Sequence, residues 1–302
     1  MRVLVTGCNG LLGQKCVELR PNSVDVWGVD LHEKGVVCPA DCYRSLNLTD
    51  RSAVHKQLEE WRPQWIINAA AYTHVDRAET ERELCWNANV TAVENLVYAA
   101  RKIGARVVHI STDYVFDGKN GPYREEDLPN PQGFYSRSKL ASENVLRSST
   151  IKFAIVRTMV LYGLTAEGRP NFVTWVIDEL SSGRTIRIVT DQIGNTTLAD
   201  ELALGLWKII DEDASGIYHI AGRELIDRFS FARLIAEIFA LDNQLILPIT
   251  TAELHQAAPR PLNSGLVVDK AMQQLGIELS DARGGLLTLK KQVESFSARS
   301  KT

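Results

Sequence analysis

The stretch RVLVTGCNGLLGQKCVEL occupies residues 2–19 of the 302-residue chain. Its first five residues form an apolar, β-branched run that predicts a buried strand, and its second half has the amphipathic pattern of a helix. Three glycines lie near the junction of the two, at Gly7, Gly10 and Gly13. A glycine-rich turn between a strand and a helix is typical of dinucleotide-binding folds, because backbone amides at a helix N-terminus bind phosphate. The stretch therefore predicts a dinucleotide-binding βα unit.

The glycine spacing assigns a separate role to each position. Gly7 is expected to form the turn, Gly10 to let the backbone approach a pyrophosphate, and Gly13 to allow close helix packing. The GxxGxxG spacing is typical of the short-chain dehydrogenase superfamily, and a purely structural turn is the alternative. The predicted cofactor contacts in this loop are Gly7, Asn9, Gly10, Leu11, Leu12 and Gly13.

Asp30 ends the second predicted strand, at the separation from the glycines expected for a ribose-binding acid. Its carboxylate can accept a hydrogen bond from a ribose 2′-hydroxyl, and its charge repels a 2′-phosphate. The expected cofactor is therefore NADH. His32 and Lys34 are nearby bases that offset this repulsion, so NADPH stays open as the alternative.

Apolar runs alternate with amphipathic segments of helix length through the first half of the chain. The predicted strands are 2–6, 24–30, 65–68, 106–111 and 153–161, and the predicted helices are 11–19, 51–60, 83–103 and 134–146. Repeated βαβ units place parallel strands in one sheet with helices on both faces. The fold class is therefore predicted to be α/β, with a Rossmann-type doubly wound parallel sheet.

The alternation changes after residue 163, where shorter and mixed segments follow. Helices are predicted at 171–180, 199–210 and 229–239, and strands at 185–189 and 216–220. We therefore predict a dinucleotide-binding domain over residues 1–163, to which residues 194–222 return, and a smaller mixed α/β substrate domain over residues 164–302.

Composition excludes several classes of protein. The 45% hydrophobic and 24% charged fractions are ordinary for globular domains, and a net charge of −3 provides no basic field for nucleic acid or an anionic membrane. No apolar run is long enough to span a bilayer and no leader pattern is present, so we expect a cytoplasmic protein with no membrane or nucleic-acid partner. Five cysteines with no second ligand pair predict free thiols and no metal site.

Tyr135 and Lys139 are one helical turn apart at the beginning of a predicted helix, so their side chains share a face. A free phenol titrates near 10, and an adjacent ammonium is expected to lower its pKa toward that of a useful proton donor. Thr112 ends the preceding strand, at the sheet edge where doubly wound folds bind ligands. We interpret Thr112, Tyr135 and Lys139 as catalytic residues of a reductase-type site. His109, in the same strand, is expected to be a hydrogen-bonded core histidine.

Several longer motifs resemble one family. They are STDYVFDG at 111–118, PY at 122–123 with Glu125, YSRSK at 135–139, NAAAYT at 68–73, Asp191-Gln192-x-Gly194, and Arg260-Pro261-x-Asn263-Ser264. Together they resemble the dTDP-4-dehydrorhamnose reductase family of extended short-chain dehydrogenases over most of the chain. The resemblance implies reduction of the C4 keto group of a nucleotide-linked deoxysugar, with hydride from the nicotinamide and a proton from Tyr135.

The resemblance also implies further contacts. Cofactor contacts are expected from Asn47, Leu48, Ala69, Ala70, Ala71, Tyr72, Tyr135 and Lys139. Substrate contacts are expected from Thr73, Val75, Thr112, Asp113, Tyr114, Tyr135, Asn171 and Arg260. Asn87 matches a family asparagine and is expected to brace the site.

Three positions depart from the family pattern. Met159 follows Arg157-Thr158 where some members have a substrate-stacking tryptophan, and Asn195-Thr196-Thr197 replaces a usual Pro-Thr. Lys15 stands where some members have a magnesium-binding glutamate at a dimer contact. These departures leave the sugar and the oligomeric state open, with a monomer or a weak homodimer expected.

Two other functions remain open from the sequence. The β subunit of methionine adenosyltransferase is a cofactor-binding regulatory subunit of the same branch and shares the tyrosine-lysine pair, although Thr112 favours an enzyme over that subunit. A sugar-nucleotide epimerase or dehydratase would use the same pair, and Asp113 beside Thr112 keeps that alternative open.

Overall fold

The computed structural model describes residues 1–299. The strands are β1 (Arg2–Thr6), β2 (Asp25–Asp30), β3 (Tyr43–Ser45), β4 (Trp65–Asn68), β5 (Arg106–Thr112), β6 (Phe153–Thr158), β7 (Leu161–Tyr162), β8 (Ile186–Val189), β9 (Ile193–Gly194), β10 (Thr197–Leu198), β11 (Gly216–His219), β12 (Ile226–Asp227) and β13 (Ile246–Ile249). The α-helices are α1 (Leu11–Glu18), α2 (Arg51–Trp61), α3 (Arg82–Trp86), α4 (Ala92–Ile103), α5 (Phe134–Arg147), α6 (Phe172–Ser181), α7 (Ala199–Asp211), α8 (Arg228–Ile238), α9 (Thr251–Leu254), α10 (Asp269–Leu275) and α11 (Ala282–Arg299).

Seven parallel strands form the central sheet in the order β11-β6-β5-β4-β1-β2-β3. The chain direction across the sheet reverses between β1 and β4, which is the switch point of a doubly wound fold. The predicted fold class is therefore confirmed. Strand β3 is absent from the sequence prediction because it is three residues long and buries only Tyr43, which leaves no apolar run to recognise.

Helices cover both faces of this sheet and bury two separate apolar clusters. On one face, α1 and α7 pack through residues such as Cys16 and Leu206 against Val3 and Val5. On the other face, α2, α4 and α5 bury Leu58, Leu96 and Leu146 against Leu4 and Ile66. Because successive side chains of a strand point to opposite faces, the continuous apolar run in β1 supplies both clusters.

Two predicted elements are interrupted in the structure. The predicted helix at 83–103 is divided by a π-helical turn over Asn87–Thr91, which separates α3 from α4. The predicted strand at 153–161 ends at Thr158, because Val160 adopts φ 45° in the left-handed region and turns the chain before β7. Such interruptions are common at functional sites, and both occur beside the residues described below.

The second half of the chain builds a third apolar cluster from α6, α8, α11 and the β8–β13 pair. Between these elements, β10 pairs with β7, and β11 joins the edge of the central sheet beside β6. Strand β13 and helices α9, α10 and α11 were not predicted. The proposed division into residues 1–163 with 194–222, and residues 164–302, stays a prediction. Within residues 1–299, no helix is long and apolar enough to cross a bilayer.

Candidate active site

The glycine loop is shaped by close backbone contacts. Gly7 has φ 64°, and a Cβ there would lie 2.8 Å from the Cα of Ala70. A Cβ on Gly13 would lie 2.1 Å from the carbonyl oxygen of Gly7, so helix α1 can approach the loop only with glycine at this position. By contrast, a Cβ on Gly10 would meet only the Gly7 oxygen, at 3.3 Å. Gly10 therefore faces open space, and the other two glycines are required by packing.

The loop fits the pyrophosphate of a dinucleotide. Helix α1 begins after Gly10 without a side-chain cap. The amides of Leu11, Leu12 and Gly13 make no hydrogen bond to any of the described residues. Unpaired amides at a helix N-terminus attract anions, and the absence of a side chain at Gly10 gives a phosphate access to them.

Asp30 is held in place by backbone donors. The amide of Asn9 donates to Asp30 Oδ2 at 3.2 Å, and the amide of Leu31 donates to Oδ1 at 2.8 Å. His32 Nδ1 lies 2.8 Å from the same Oδ1. The Asn9 side chain donates to the carbonyl of Lys34, which ties the loop after β2 to the glycine loop. The predicted acid and the predicted loop are therefore brought together, with His32 against the carboxylate.

The remaining predicted cofactor residues lie after β3 and β4. Leu48 is buried, and its carbonyl accepts from Asn95 Nδ2 at 2.9 Å, while Asn47 accepts from the amide of Thr49. Ala70 lies against Gly7, where its small side chain leaves room at the switch point. Ala69 and Ala70 are partly buried and Ala71 is exposed, so the segment leads from the sheet to the surface.

Asn89, and not Asn87, braces the segment after β4. Asn89 Oδ1 accepts from the amide of Tyr72 at 2.8 Å, and its Nδ2 donates to Ser138 Oγ at 2.9 Å. Asn87 bonds only within its own turn, where its Oδ1 accepts from Thr91. The expectation for Asn87 is wrong because the π-helical turn changes which residues face the site. No local pattern in the sequence signals that turn.

Thr112, Tyr135 and Lys139 converge at the carboxyl end of β5. Thr112 ends that strand, and the other two lie in the first turns of α5. All three are buried, and Thr112 lies close enough to Tyr135 to lower the pKa of its hydroxyl. Lys139 Nζ donates to the carbonyl of Ile110 at 2.6 Å. The structure therefore brings together the three residues that the sequence predicts to be catalytic.

The electrostatics of Tyr135 differ from the expectation. Burial raises the pKa of Tyr135 above its usual range, and the nearby Asp113 and Tyr114 act in the same direction. The Thr112 side chain lowers that pKa but does not outweigh burial. Burial also lowers the pKa of Lys139 to about 8. Tyr135 is therefore a protonated hydroxyl at neutral pH, which suits a proton donor rather than a base.

A buried hydrogen-bond chain lies behind Lys139. Thr6 donates to Asn68 Oδ1 at 2.6 Å, and Asn68 Nδ2 lies 3.0 Å from His109 Nδ1. His109 Nε2 contacts Ser142 Oγ at 2.9 Å and Lys139 Nζ at 3.5 Å. Burial and the Lys139 charge hold the pKa of His109 well below its usual range, so the ring is neutral. The expectation of a hydrogen-bonded core histidine is confirmed, and Asn68 belongs to the same chain of contacts.

Asp113 is buried at the same sheet edge, and each of its oxygens accepts one hydrogen bond. Its Oδ2 accepts from Ser264 at 2.6 Å, and its Oδ1 accepts from Thr112 at 3.1 Å. Burial raises the pKa of Asp113 to about 6, although both hydrogen bonds oppose that effect. Ser264 was not predicted as a site residue, but it belongs to the Arg260-to-Ser264 motif, which was the available signal. Tyr114 completes this group, with its ring centroid 6.1 Å from that of Tyr135.

The other predicted substrate residues are already engaged within the chain. Arg260 donates to Asp76 Oδ2 at 2.7 Å. Asn171 caps α6 by accepting from Thr174 N and donates to the carbonyl of Gly163. Thr73 Oγ1 accepts from Arg169, and Val75 packs near Tyr135. The polar groups of Arg260 and Asn171 therefore position loops around the site in this structure.

A narrow cleft opens beside these residues. It lies between the end of β5, the bend at Val160 and the segment that contains β9. Its lining includes Asp113, Tyr114, Met159, Gln192, Arg228 and Ser264. Tyr114 lines the cleft and contacts Tyr135, so a ligand in the cleft lies near Tyr135.

The family described as RmlD substrate binding domain matches residues 1–295 of the chain. The chain belongs to this family. Within it, the dTDP-4-dehydrorhamnose reductase of Aggregatibacter actinomycetemcomitans is similar, with 32% identity over 307 residues, 97% of this chain and 99% of that protein. Methionine adenosyltransferase 2 subunit beta of Xenopus laevis is 33% identical, covering 91% of this chain and 83% of that protein. The resemblance stated from the motifs is therefore confirmed.

A solved structure supports the same placement in the RmlD family. The crystal structure of dTDP-4-dehydrorhamnose reductase from Bacillus anthracis, in complex with NADP, matches this chain with a TM-score of 0.87. The two chains are 33% identical, and the match covers 96% of this chain and 99% of that one. The similarity therefore extends through both halves of the fold.

Proposed function

We propose that this chain is an NAD(P)H-dependent reductase that acts on the C4 keto group of a nucleotide-linked deoxysugar, as a dTDP-4-dehydrorhamnose reductase does. The observation that carries the proposal is the convergence of Thr112, Tyr135 and Lys139 at the sheet edge. The open amides at the N-terminus of α1 support it, as does the similarity to dTDP-4-dehydrorhamnose reductases over nearly the full chain. NADH and NADPH are both retained as cofactors, because Asp30 lies against His32.

The reaction follows from the protonation states of the site residues. When bound, the nicotinamide supplies a hydride to the carbonyl carbon. Tyr135 holds its proton at neutral pH and donates it to the carbonyl oxygen as negative charge develops there. Thr112 supplies a hydroxyl next to that oxygen, and Lys139 supplies the charge that favours the phenolate left behind.

Lys139 also fits a contact with the nicotinamide ribose. Its ammonium donates to the Ile110 carbonyl, which leaves two of its three N–H donors for a ligand. The cofactor contacts proposed for the glycine loop, Asp30, Asn47, Leu48 and residues 69–72 all lie at the carboxyl ends of β1 to β4 or in the segments that follow them. A nucleotide-sugar substrate is proposed to lie on the other side of Tyr135, in the cleft.

Two alternatives are weaker. The similarity to an adenosyltransferase β subunit favours a regulatory role, but the chain matches named reductases over nearly their whole length. The epimerase or dehydratase alternative depends on Asp113, whose oxygens already accept from Ser264 and Thr112, and the chain matches reductases along its length. The reductase is therefore the better supported function. A cytoplasmic location and a monomer or weak homodimer stay predictions.

One assay tests the proposal directly. The purified chain is mixed with NADH or NADPH and a panel of 4-keto nucleotide sugars, and nicotinamide absorbance is followed. We expect turnover with at least one deoxysugar, and the product's stereochemistry at C4 identifies the sugar. A chain that binds cofactor but oxidises none with any sugar would instead support the regulatory subunit.

A further inference from the structure

Arg228 is an arginine in the cleft whose side chain has no hydrogen-bond or ion-pair partner among the residues that the structure describes. It is the first residue of α8, and its backbone amide donates to the carbonyl of Gln192 at 3.2 Å. That contact, together with the β12–β9 pairing, brings the beginning of α8 to the cleft wall. Within residues 1–299, the guanidinium makes no ion pair and no hydrogen bond.

An apolar ring holds this guanidinium in place. The Arg228 Cζ lies 5.2 Å from the ring centroid of Phe172, at the beginning of α6. Stacking on a ring face fixes the plane of a guanidinium and leaves its N–H donors at the edge available. Arg228 is partly buried, so an uncompensated charge there is costly unless an anion joins it.

The other charged side chains around the cleft already have hydrogen-bond partners. Asp113 is the one acid in the cleft lining, and its oxygens accept from Ser264 and Thr112. Arg260 is nearby but bonds to Asp76. Burial lowers the pKa of Arg228, the nearby Tyr114 and Asp113 raise it, and the charge of Arg260 lowers it further. Among the residues that line the cleft, Arg228 is therefore the cation whose N–H donors are available to a ligand.

We propose that Arg228 binds the diphosphate of the nucleotide-sugar substrate. This inference rests on the proposed function, and it assigns the anion-binding position within that site. A planar guanidinium with several donors matches the oxygens of a phosphate in a bidentate contact. Tyr114 lies between Arg228 and Tyr135, because it lines the cleft together with Arg228 and its ring contacts that of Tyr135. The sugar would then lie between the diphosphate and the Tyr135 hydroxyl.

The test measures nucleotide affinity by calorimetry. Thymidine diphosphate, uridine diphosphate and thymidine are titrated into the wild type, Arg228→Gln, Arg228→Lys and the control Arg233→Gln. Arg233 is an exposed arginine on the same helix, so its variant removes one charge without altering the cleft. NADPH is titrated into each variant to report on the separate cofactor site.

We expect Arg228→Gln to weaken binding of the preferred nucleoside diphosphate by roughly 10- to 100-fold, the loss typical of one charge-assisted contact. Arg228→Lys should recover part of that loss, and thymidine, NADPH and Arg233→Gln should show no change. In the reductase assay, the Michaelis constant should rise while turnover at saturation is kept.

Three results would overturn the inference. Equal diphosphate affinity in wild type and both Arg228 variants would show that another group binds the phosphates. A loss confined to NADPH would place the guanidinium at the cofactor. If the wild type binds neither nucleoside diphosphate, the proposed function fails together with this inference, and that result is distinct from the first. If Arg228→Gln does not fold, the diphosphate affinity of Arg228→Lys alone tests the inference. That variant keeps the positive charge but loses the bidentate geometry of the guanidinium.

Discussion

At the scale of single residues, Tyr135 and Lys139 are tuned in opposite directions by the same burial. The hydroxyl of Tyr135 keeps its proton more strongly than a free phenol, and the ammonium of Lys139 loses its proton more readily than a free lysine. Both effects arise because a buried site disfavours the charged form. At neutral pH Tyr135 therefore carries the proton that the proposed reduction requires.

Replacing Tyr135 with Phe removes that proton and keeps the ring. We expect turnover to fall by about 10² to 10⁴-fold, the usual contribution of general acid catalysis, with cofactor affinity nearly unchanged. Thr112→Val should lower turnover by roughly 10- to 1000-fold, since it removes the hydroxyl that must turn from Asp113 to donate to the developing charge. Steady-state kinetics and NADH titration measure both quantities. Wild-type turnover in Tyr135→Phe would refute the mechanism.

The pKa of Lys139 predicts a pH dependence. As pH rises through about 8, the ammonium is lost, and turnover should decline between about pH 7 and 9. Tyr135 does not titrate there, because its pKa lies above its usual range. The pH profile of turnover, measured with saturating substrate, tests this prediction, and a flat profile through pH 10 would contradict it.

Unfolding does not explain such a decline. The native state releases the Lys139 proton at lower pH than the unfolded chain does, so this titration by itself raises stability as pH increases toward 10.5. Thermal unfolding measured at each pH of the profile is the control. A melting temperature that is constant or rising while turnover falls assigns the effect to the site.

Asp30 is expected to set the preference between the two cofactors. Asp30→Ala removes the acceptor for a ribose 2′-hydroxyl and the repulsion of a 2′-phosphate, so NADH should bind roughly tenfold more weakly and NADPH no more weakly. Titration of both cofactors into the wild type and the variant measures the ratio. A wild type that prefers NADPH would contradict the sequence prediction and indicate that His32 offsets the carboxylate.

At the scale of elements, the loop before α1 contains two kinds of glycine. Gly10→Val should abolish dinucleotide binding and leave the fold intact, because its side chain would enter open space beside the helix amides. Gly13→Ala should destabilise the fold by about 1–3 kcal/mol, because its Cβ would meet the Gly7 oxygen at 2.1 Å. Calorimetry and thermal unfolding separate the two effects. Normal NADH binding by Gly10→Val would make the loop purely structural.

At the scale of the whole molecule, Asn195 connects segments that are far apart in sequence. Its Nδ2 donates to the carbonyls of Gly222 and Leu266, and its Oδ1 accepts from the Leu266 amide. Asn195→Ala leaves those buried groups unpaired, and we expect a loss of about 2–5 kcal/mol. Chemical denaturation measures it, with the exposed Asn22→Ala as control. A loss below about 1 kcal/mol would show that the segments are held by other contacts.

Most of the dinucleotide-binding half was predicted from local patterns. Strand β1, the glycine loop and α1 follow one another within 18 residues, so hydrophobic period and turn chemistry define them without distant contacts. Tyr135 and Lys139 could be paired in the same way, because one helical turn brings them together. Asp30 and Thr112 were found because each ends a strand, and parallel strands end at one sheet edge.

The tertiary structure decided what depends on contacts between distant segments. Asn89 replaces Asn87 because a π-helical turn, which no local pattern signals, rotates the face that meets Ser138. The pKa of Tyr135 is raised because surrounding residues bury its hydroxyl. The spacing in the sequence indicated only that Lys139 lies nearby. Arg228 enters the cleft only because β12 pairs with β9 and α8 begins there. Local sequence determines the hydrophobic period of each strand and helix and the turns between them. The burial and the charge pairing of the site residues arise only when segments distant in sequence come into contact.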